Sequence, residues 1–249
     1  MRILYLNIVT LLIISFTGVV CANKQPGSVT ENQATVYYTE GITYLKTGEY
    51  QKAIESFKQA VRLKPDYIYA HYSLGIAYQQ TGDINKAIES FTAVIRITPD
   101  AAAYYALGSI YLTTGEYDKV IHYYKESIKI KPDDAYTYYG LGLAYSNISD
   151  YNNEINSLKE AIRLKPDYEE AYQALGYAYT STGDFSNAIE SYKQAIHFKP
   201  DDANLHNSIA MAYLTLGDID SVMHEYEILK NLDPNLANEL LGKVQRRKN

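Results

Sequence analysis

The amino-acid sequence predicts an all-α chain of six consecutive helix–turn–helix units that ends in a short capping helix. Three observations support this prediction: prolines recur at a nearly constant spacing, a turn signal falls midway between them, and the intervening residues have the apolar spacing of amphipathic helices. The 249 residues are 47% apolar and include only seven prolines, which fits a packed fold.

The repeat is defined by prolines that lie 34, 33, 34, 34 and 34 residues apart. Each is followed by Asp or Asn, so a residue that ends one helix precedes a side chain that can cap the next. These prolines are Pro65, Pro99, Pro132, Pro166, Pro200 and Pro234. One helix therefore ends, and another begins, at each of them.

A second turn signal divides every unit into two helices. In five units a glycine closes the first helix and an acidic residue opens the second, whereas the fourth unit has serine before the acid. The pairs are Gly48-Glu49, Gly82-Asp83, Gly115-Glu116, Ser149-Asp150, Gly183-Asp184 and Gly217-Asp218. The spacing of Ala53, Ile54, Phe57, Ala60 and Val61 illustrates the apolar stripe that each helix buries.

These units resemble tetratricopeptide repeats over about 34–234. The signature is a Leu-Gly pair followed three residues later by tyrosine, as in Leu74, Gly75 and Tyr78. It recurs in the three following units, at Leu107, Gly108 and Tyr111, at Leu141, Gly142 and Tyr145, and at Leu175, Gly176 and Tyr179. The resemblance implies a right-handed superhelical solenoid in which the first helix of every repeat lines a concave groove.

The repeat spacing predicts the organisation of the chain. We expect a signal peptide or membrane anchor over 1–22, a polar linker over 23–33, repeats over 34–67, 68–100, 101–134, 135–168, 169–202 and 203–234, and a capping helix with a basic tail over 235–249. The fourth repeat should be the weakest joint. It has Ser149 in place of the turn glycine and Glu154 where a small residue normally packs, so this charge must tilt outward or the packing must loosen.

The first 22 residues have the pattern of an export or anchoring segment. Arg2 precedes an apolar run over 3–20, and polar residues follow. Three outcomes are open: cleavage after Ala22, lipidation of Cys21 as in a bacterial lipoprotein, or retention as a membrane anchor. The residues before Cys21 depart from the usual lipobox. Each outcome places the rest of the chain outside the cytoplasm, in the periplasm or cell envelope.

Several function classes find no support in the sequence. A formal charge of -6 disfavours a nucleic-acid partner, which needs a concentrated basic face. Neither a nucleophile elbow, a phosphate-binding glycine loop nor a His-Glu-x-x-His motif occurs, and the five histidines lack metal-ligand spacing. We therefore expect no catalytic residues, no metal and no cofactor.

The resemblance implies a peptide-binding groove with two residues from each repeat, which form a column of tyrosines beside a column of apolar residues. The groove residues are Tyr38, Ile42, Tyr72, Ile76, Tyr105, Ser109, Tyr139, Leu143, Gln173, Tyr177, Asn207 and Met211. Some family members clamp a terminal carboxylate with Lys, Asn and Arg. The corresponding positions here are Tyr38, Ile42, Ser73, Ala102 and Ala106, so no such clamp is expected.

The expected function is that of a non-enzymatic scaffold or adaptor that binds a polypeptide segment of another protein. Two alternatives remain open. The first is a lipoprotein that assists the assembly of a pilus secretin, which lipidation of Cys21 would favour. The second is a docking subunit of an envelope enzyme whose catalytic residues lie on another chain.

Overall fold

The computed structural model describes residues 29–248, so the segment predicted over 1–22, with Cys21, lies outside the described residues. This part of the chain is a succession of α-helices without a strand. They are α1 (Val29–Lys46), α2 (Tyr50–Leu63), α3 (Ile68–Thr81), α4 (Ile84–Ile97), α5 (Ala101–Thr114), α6 (Tyr117–Ile130), α7 (Ala135–Asn147), α8 (Tyr151–Leu164), α9 (Glu169–Thr182), α10 (Phe185–Phe198), α11 (Ala203–Leu216), α12 (Ile219–Leu232) and α13 (Pro234–Lys248). The predicted all-α fold of helix–turn–helix pairs is confirmed.

The described residues form two compact units, 29–70 and 71–248, with the boundary inside α3. In the first unit α1 and α2 pack together around Ala34, Leu45, Ala53 and Phe57, which are all buried. The apolar periodicity of both helices places these residues on the facing sides.

In the second unit each odd-numbered helix is the first helix of a repeat and each even-numbered helix is the second. Every first helix from α5 to α11 packs on the second helix of its own repeat and on the second helix of the repeat before. Successive first helices also contact each other, α5 with α7 and α7 with α9, whereas the second helices in this part of the chain contact each other less. The first helices therefore form the more closely spaced row.

The turn between the two helices of a repeat needs a residue with positive φ. Gly183 has φ of 78°, its N–H donates to the carbonyl of Thr180, and the next N–H donates to the carbonyl of Tyr179. Ser149 adopts the same conformation with φ of 59° and keeps the equivalent turn. A side chain in this left-handed region costs about 1–2 kcal/mol, so the fourth repeat is strained at its turn.

The acidic residues that open the second helices cap them in two ways. In the last three repeats Asp accepts a hydrogen bond from the backbone N–H three residues further on, as Asp184 does from Asn187. In the first three repeats the acid makes no such bond and instead pairs with a lysine three residues later, as Glu116 does with Lys119. The acid therefore opens every second helix, as predicted, but it accepts a backbone hydrogen bond only in the last three repeats.

Glycines of the first helices allow a large side chain of a second helix to approach closely. A Cβ atom on Gly108 would lie 2.5 Å from the Tyr124 ring, and one on Gly140, in the next first helix, would lie 2.6 Å from the same ring. Tyr124 is only 2% exposed, and its hydroxyl lies 3.1 Å from Ser109 Oγ. The ring is thus held between two glycines on adjacent first helices.

Glu154 in the fourth repeat is buried, with 3% of its surface exposed. It shares the buried side of α8 with Leu158 and Ala161, so the prediction that its charge tilts outward is wrong. Within residues 29–248 its Oε2 atom has no hydrogen-bond partner. Burial raises the pKa of Glu154 above its ordinary value of 4.5, and a hydrogen bond with Ser146 partly offsets that shift.

The last helix, α13, covers the end of the final repeat. Ala237, Leu240 and Val244 are buried in one cluster with residues of α11 and α12, whereas Asn238 and Gln245 are exposed. This polar outer side is what a solenoid end needs when no further repeat follows it. The predicted capping helix is confirmed.

Candidate functional site

Each of the first helices α5, α7, α9 and α11 has a row of side chains at positions i, i+3, i+7 and i+11 that are at least partly exposed. We call these rows the open stripes. They comprise Ala102, Tyr105, Ser109 and Thr113 on α5, Tyr136, Tyr139, Leu143 and Asn147 on α7, Glu170, Gln173, Tyr177 and Ser181 on α9, and Asn204, Asn207, Met211 and Thr215 on α11. Because α5 contacts α7 and α7 contacts α9, the stripes of these three helices lie side by side.

Eight of the twelve predicted groove residues belong to the open stripes. Tyr72 of α3 is likewise part-buried in this unit, whereas Ile76 is buried. Tyr38 and Ile42 belong to the first unit, where both are part-buried. The structure therefore brings the predicted residues of repeats three to five into one surface, and those of repeat six lie at the same positions on α11.

The column of tyrosines is partly used for packing. The ring centroid of Tyr72 lies 5.3 Å from that of Phe91, Tyr105 stacks on Tyr124 at 5.5 Å, and Tyr139 lies 4.9 Å from Tyr168. In the first unit Tyr38 contacts Phe57 and Tyr67 in the same way. The rings that remain most accessible on the open stripes are Tyr136, 37% exposed, and Tyr177, 46% exposed.

The phenol groups of this surface are neutral hydrogen-bonding groups. Burial raises the pKa of Tyr139 to about 12, and the nearby charges of Glu170 and Glu169 act in the same direction. Burial also raises the pKa of Tyr72. At physiological pH these hydroxyls are protonated, so each can donate one hydrogen bond and accept others.

Charged side chains are nearly absent from the first helices of the second unit. Neither α5 nor α7 contains Asp, Glu, Lys or Arg, and α11 contains only the buried His206 among ionisable groups other than tyrosine. The exception is α9, which begins with Glu169 and Glu170. Glu169 is buried and forms an ion pair with Lys199, whereas Glu170 is part-exposed on the open stripe.

Three residues beside the predicted groove were not anticipated. Lys165 Nζ donates to the Tyr136 hydroxyl at 3.1 Å and lies 4.8 Å from that ring centroid and 4.5 Å from the centroid of Tyr168. The only sequence signal for this group was Tyr168, because it occupies the N-cap position of α9, where α5, α7 and α11 have Asp. The tyrosine in place of Asp puts an aromatic ring at the edge of the site.

His206 is a buried structural residue with a partner on each ring nitrogen. Its Nδ1 lies 2.7 Å from Glu225 Oε2, and its Nε2 lies 2.9 Å from the carbonyl oxygen of Pro200. His206 occupies a position that other repeats fill with tyrosine, and its burial agrees with a packing role. The pairing was missed because Glu225 lies on the next helix of the repeat.

Between residues 29 and 248 there is no group of three His, Cys, Asp or Glu side chains that could hold a metal ion. Over the same range no helix is both long and apolar enough to cross a membrane.

Comparison with protein families identifies the repeats directly. Models described as tetratricopeptide repeat match residues 68–101, 101–134 and 135–168, and one described as TPR repeat matches 41–82 and 176–217. Together these matches cover more than half of the chain.

Solved structures share the fold. A MamA protein is 28% identical, with a TM-score of 0.64, over 70% of this chain and 95% of that one. The pilF protein of Pseudomonas aeruginosa is 16% identical, with a TM-score of 0.68, over 86% and 99%. YrrB, described as a TPR protein with an unusual peptide-binding site, is 17% identical, with a TM-score of 0.61, over 74% and 92%.

No curated protein sequence matches the chain. The family matches nevertheless span residues 41–168 and 176–217, and over both ranges the structure consists of paired α-helices. The chain therefore belongs to the tetratricopeptide-repeat family.

Proposed function

We propose that this protein is a non-enzymatic adaptor that works outside the cytoplasm and binds a polypeptide segment of another protein across the open stripes of α5, α7, α9 and α11. The proposal rests on the amino-acid composition of those stripes. They combine part-exposed tyrosine rings, aliphatic side chains and amides with a single charge, on helices that are otherwise nearly free of charge.

Such a surface suits an extended or helical segment with apolar side chains. Tyrosine rings provide contact area at a low cost in side-chain entropy, and their hydroxyls, with the Gln173 and Asn207 amides, can bond to the main chain of the partner. The affinity should depend only weakly on salt, because few charges take part. The polypeptide would be held by contact area and hydrogen bonds.

Replacing Tyr136 and Tyr177 together with alanine should reduce binding of the partner at least about tenfold, because central aromatic residues dominate interface energies. Both residues are more than a third exposed, and neither belongs to the buried core, so helix content should persist and the thermal unfolding midpoint should change little. The measurement compares the proteins that copurify with the full wild-type chain and with the double variant, by quantitative mass spectrometry.

The matched control removes two exposed apolar side chains from the ends of second helices. Ile130 and Phe198 are 45% and 40% exposed, and neither belongs to an open stripe. Their double alanine variant should retain the partner. If both double variants lose it equally, or if neither does, the open stripes are not the binding surface.

The extracytoplasmic part of the proposal rests on the sequence of residues 1–22 alone. The intact mass of the mature protein distinguishes the three outcomes. Cleavage after Ala22 removes 22 residues, lipidation leaves Cys21 with an added lipid mass, and an anchor keeps the full chain. A full-length, unmodified protein recovered from the cytoplasm would contradict export.

The secretin-assembly and enzyme-docking alternatives gain no specific support. The similarity to pilF is 16% identity and concerns the fold alone. An adaptor with an unspecified polypeptide partner is therefore the function that the surface supports best.

A further inference from the structure

We propose that the bound segment carries an arginine or lysine side chain that pairs with Glu170, flanked by aromatic or aliphatic residues that contact the tyrosines. This inference rests on the proposed binding function of the open stripes and specifies the chemistry of the partner. It follows from where the charge of this surface lies and from what surrounds it.

Glu170 is the only charged residue on the open stripes. It lies in the first turn of α9, one repeat after Tyr136, and so occupies the same repeat position on the neighbouring first helix. It is part-exposed, and within residues 29–248 it makes neither a hydrogen bond nor an ion pair. Its carboxylate is therefore available to a ligand.

The adjacent acid, Glu169, has a structural role at the start of α9. Glu169 is buried and paired with Lys199, and it replaces the charge that a capping Asp supplies to α5, α7 and α11. Those helices have no acid in their first turn. Glu170 is thus a second acid where the other first helices of the row have none.

Aromatic rings lie close to Glu170. Glu170 follows Tyr168 by two residues, on a helix that contacts the helix of Tyr139, and the Tyr139 and Tyr168 rings lie 4.9 Å apart. Its charge also raises the pKa of both tyrosines. The Lys165 ammonium lies 4.5 Å from the centroid of Tyr168, so this ring already contacts one cation. A carboxylate beside tyrosine rings favours a guanidinium, which can pair and stack at once.

The same arrangement disfavours acidic partners. The open stripes themselves contain no Lys or Arg, the nearby Lys165 ammonium already donates to the Tyr136 hydroxyl, and Lys199 is paired with Glu169. Among the described residues, an acidic side chain would therefore find no unpaired cation here and would be repelled by Glu170. Partner selection by charge would thus depend on one residue, whereas most of the contact area would come from the tyrosines.

The test uses a displayed library of random peptides selected on the purified full chain. We expect the selected peptides to share one Arg or Lys among aromatic or aliphatic residues. For a selected Arg peptide, Glu170→Gln should weaken binding about tenfold or more, since hydrogen bonds to charged groups contribute about 1.5–3 kcal/mol. Glu190→Gln, an exposed glutamate on the second helix α10, is the matched control and should leave the affinity unchanged.

Replacing the arginine of the peptide by citrulline, which keeps the shape but removes the charge, should give the same loss on the wild type and no further loss on Glu170→Gln. The inference is overturned if the selected peptides show no basic residue, or if Glu170→Gln binds the Arg peptide as tightly as the wild type does. In either case binding that still depends on Tyr136 and Tyr177 would leave the proposed function standing. Binding that does not depend on those tyrosines would contradict both the inference about Glu170 and the proposed function.

Discussion

Replacing Gly108 with alanine is expected to lower the free energy of unfolding by about 2–3 kcal/mol, at the upper end of the range for overpacking a dense core. The new methyl group would lie 2.5 Å from two atoms of the Tyr124 ring. That ring cannot shift away, because Gly140 of the next first helix approaches it from another side. Chemical denaturation gives the loss, and native-state hydrogen exchange should place it around α5 and α6.

The last repeat of this chain has an alanine at the repeat position of Gly108. Ala210 stands one repeat after Gly176, and the ring opposite, Tyr226, is only partly buried, whereas Tyr192 in the preceding repeat is 1% exposed. An alanine is therefore accommodated where the ring lies further out, at the end of the row. Tyr124, in the middle, has no such freedom.

Gly242→Ala is the matched control for the glycine prediction. Gly242 lies in the helix α13, and a Cβ atom there would meet nothing within 4 Å. Alanine should stabilise this helix by up to about 1 kcal/mol, the difference in helix propensity. Equal effects of the two substitutions would show that backbone propensity, rather than contact with the ring, accounts for Gly108.

Replacing Glu154 with alanine is expected to raise the free energy of unfolding by about 1–3 kcal/mol at neutral pH, because it removes a buried carboxyl group with an unpaired oxygen. Other repeats have Ala53, Ala87 and Ala188 at this position, so the smaller side chain suits the site. The reciprocal change, Ala188→Glu, should destabilise the fifth repeat by a similar amount.

The gain from Glu154→Ala should depend on pH in a defined direction. The folded pKa of Glu154 is raised above its ordinary value of 4.5, so the unfolded chain releases this proton more readily. The wild type therefore has its full stability below 4.5 and loses this contribution as pH rises through the raised folded pKa. The difference between variant and wild type should widen over that interval. A constant difference would mean that the carboxyl group ionises as easily in the folded chain as in the unfolded one.

Sequence reasoning succeeded where the repeat imposes one answer. The proline spacing and the glycine turns fix the succession of helices, because each signal has a local cause in backbone conformation. The Leu-Gly pairs mark places of close approach, since only a residue without a side chain fits beneath Tyr124. The eight predicted positions on the open stripes came from the resemblance to tetratricopeptide repeats.

What the sequence could not predict depends on contacts between helices. Glu154 was expected either to tilt outward or to loosen the packing, because a buried charge is unfavourable, and the register of α8 keeps it inside. The partners of His206 and Glu169 lie on the following helices, and no local pattern names them. The tyrosine column was predicted to line a binding groove, and Tyr72, Tyr105 and Tyr139 also pack against the aromatic rings behind them.

The central claim is that a polypeptide partner contacts the open stripes, and site-specific photocrosslinking tests it most directly. Benzoylphenylalanine would replace Tyr136, Tyr177, Ile130 or Phe198, one at a time, in the full chain produced in its source cells. We predict crosslinks to another polypeptide from Tyr136 and Tyr177 and none from Ile130 and Phe198, with the crosslinks from Tyr177 weakened by Glu170→Gln. Crosslinks from the second-helix positions but not from the open stripes would contradict the account.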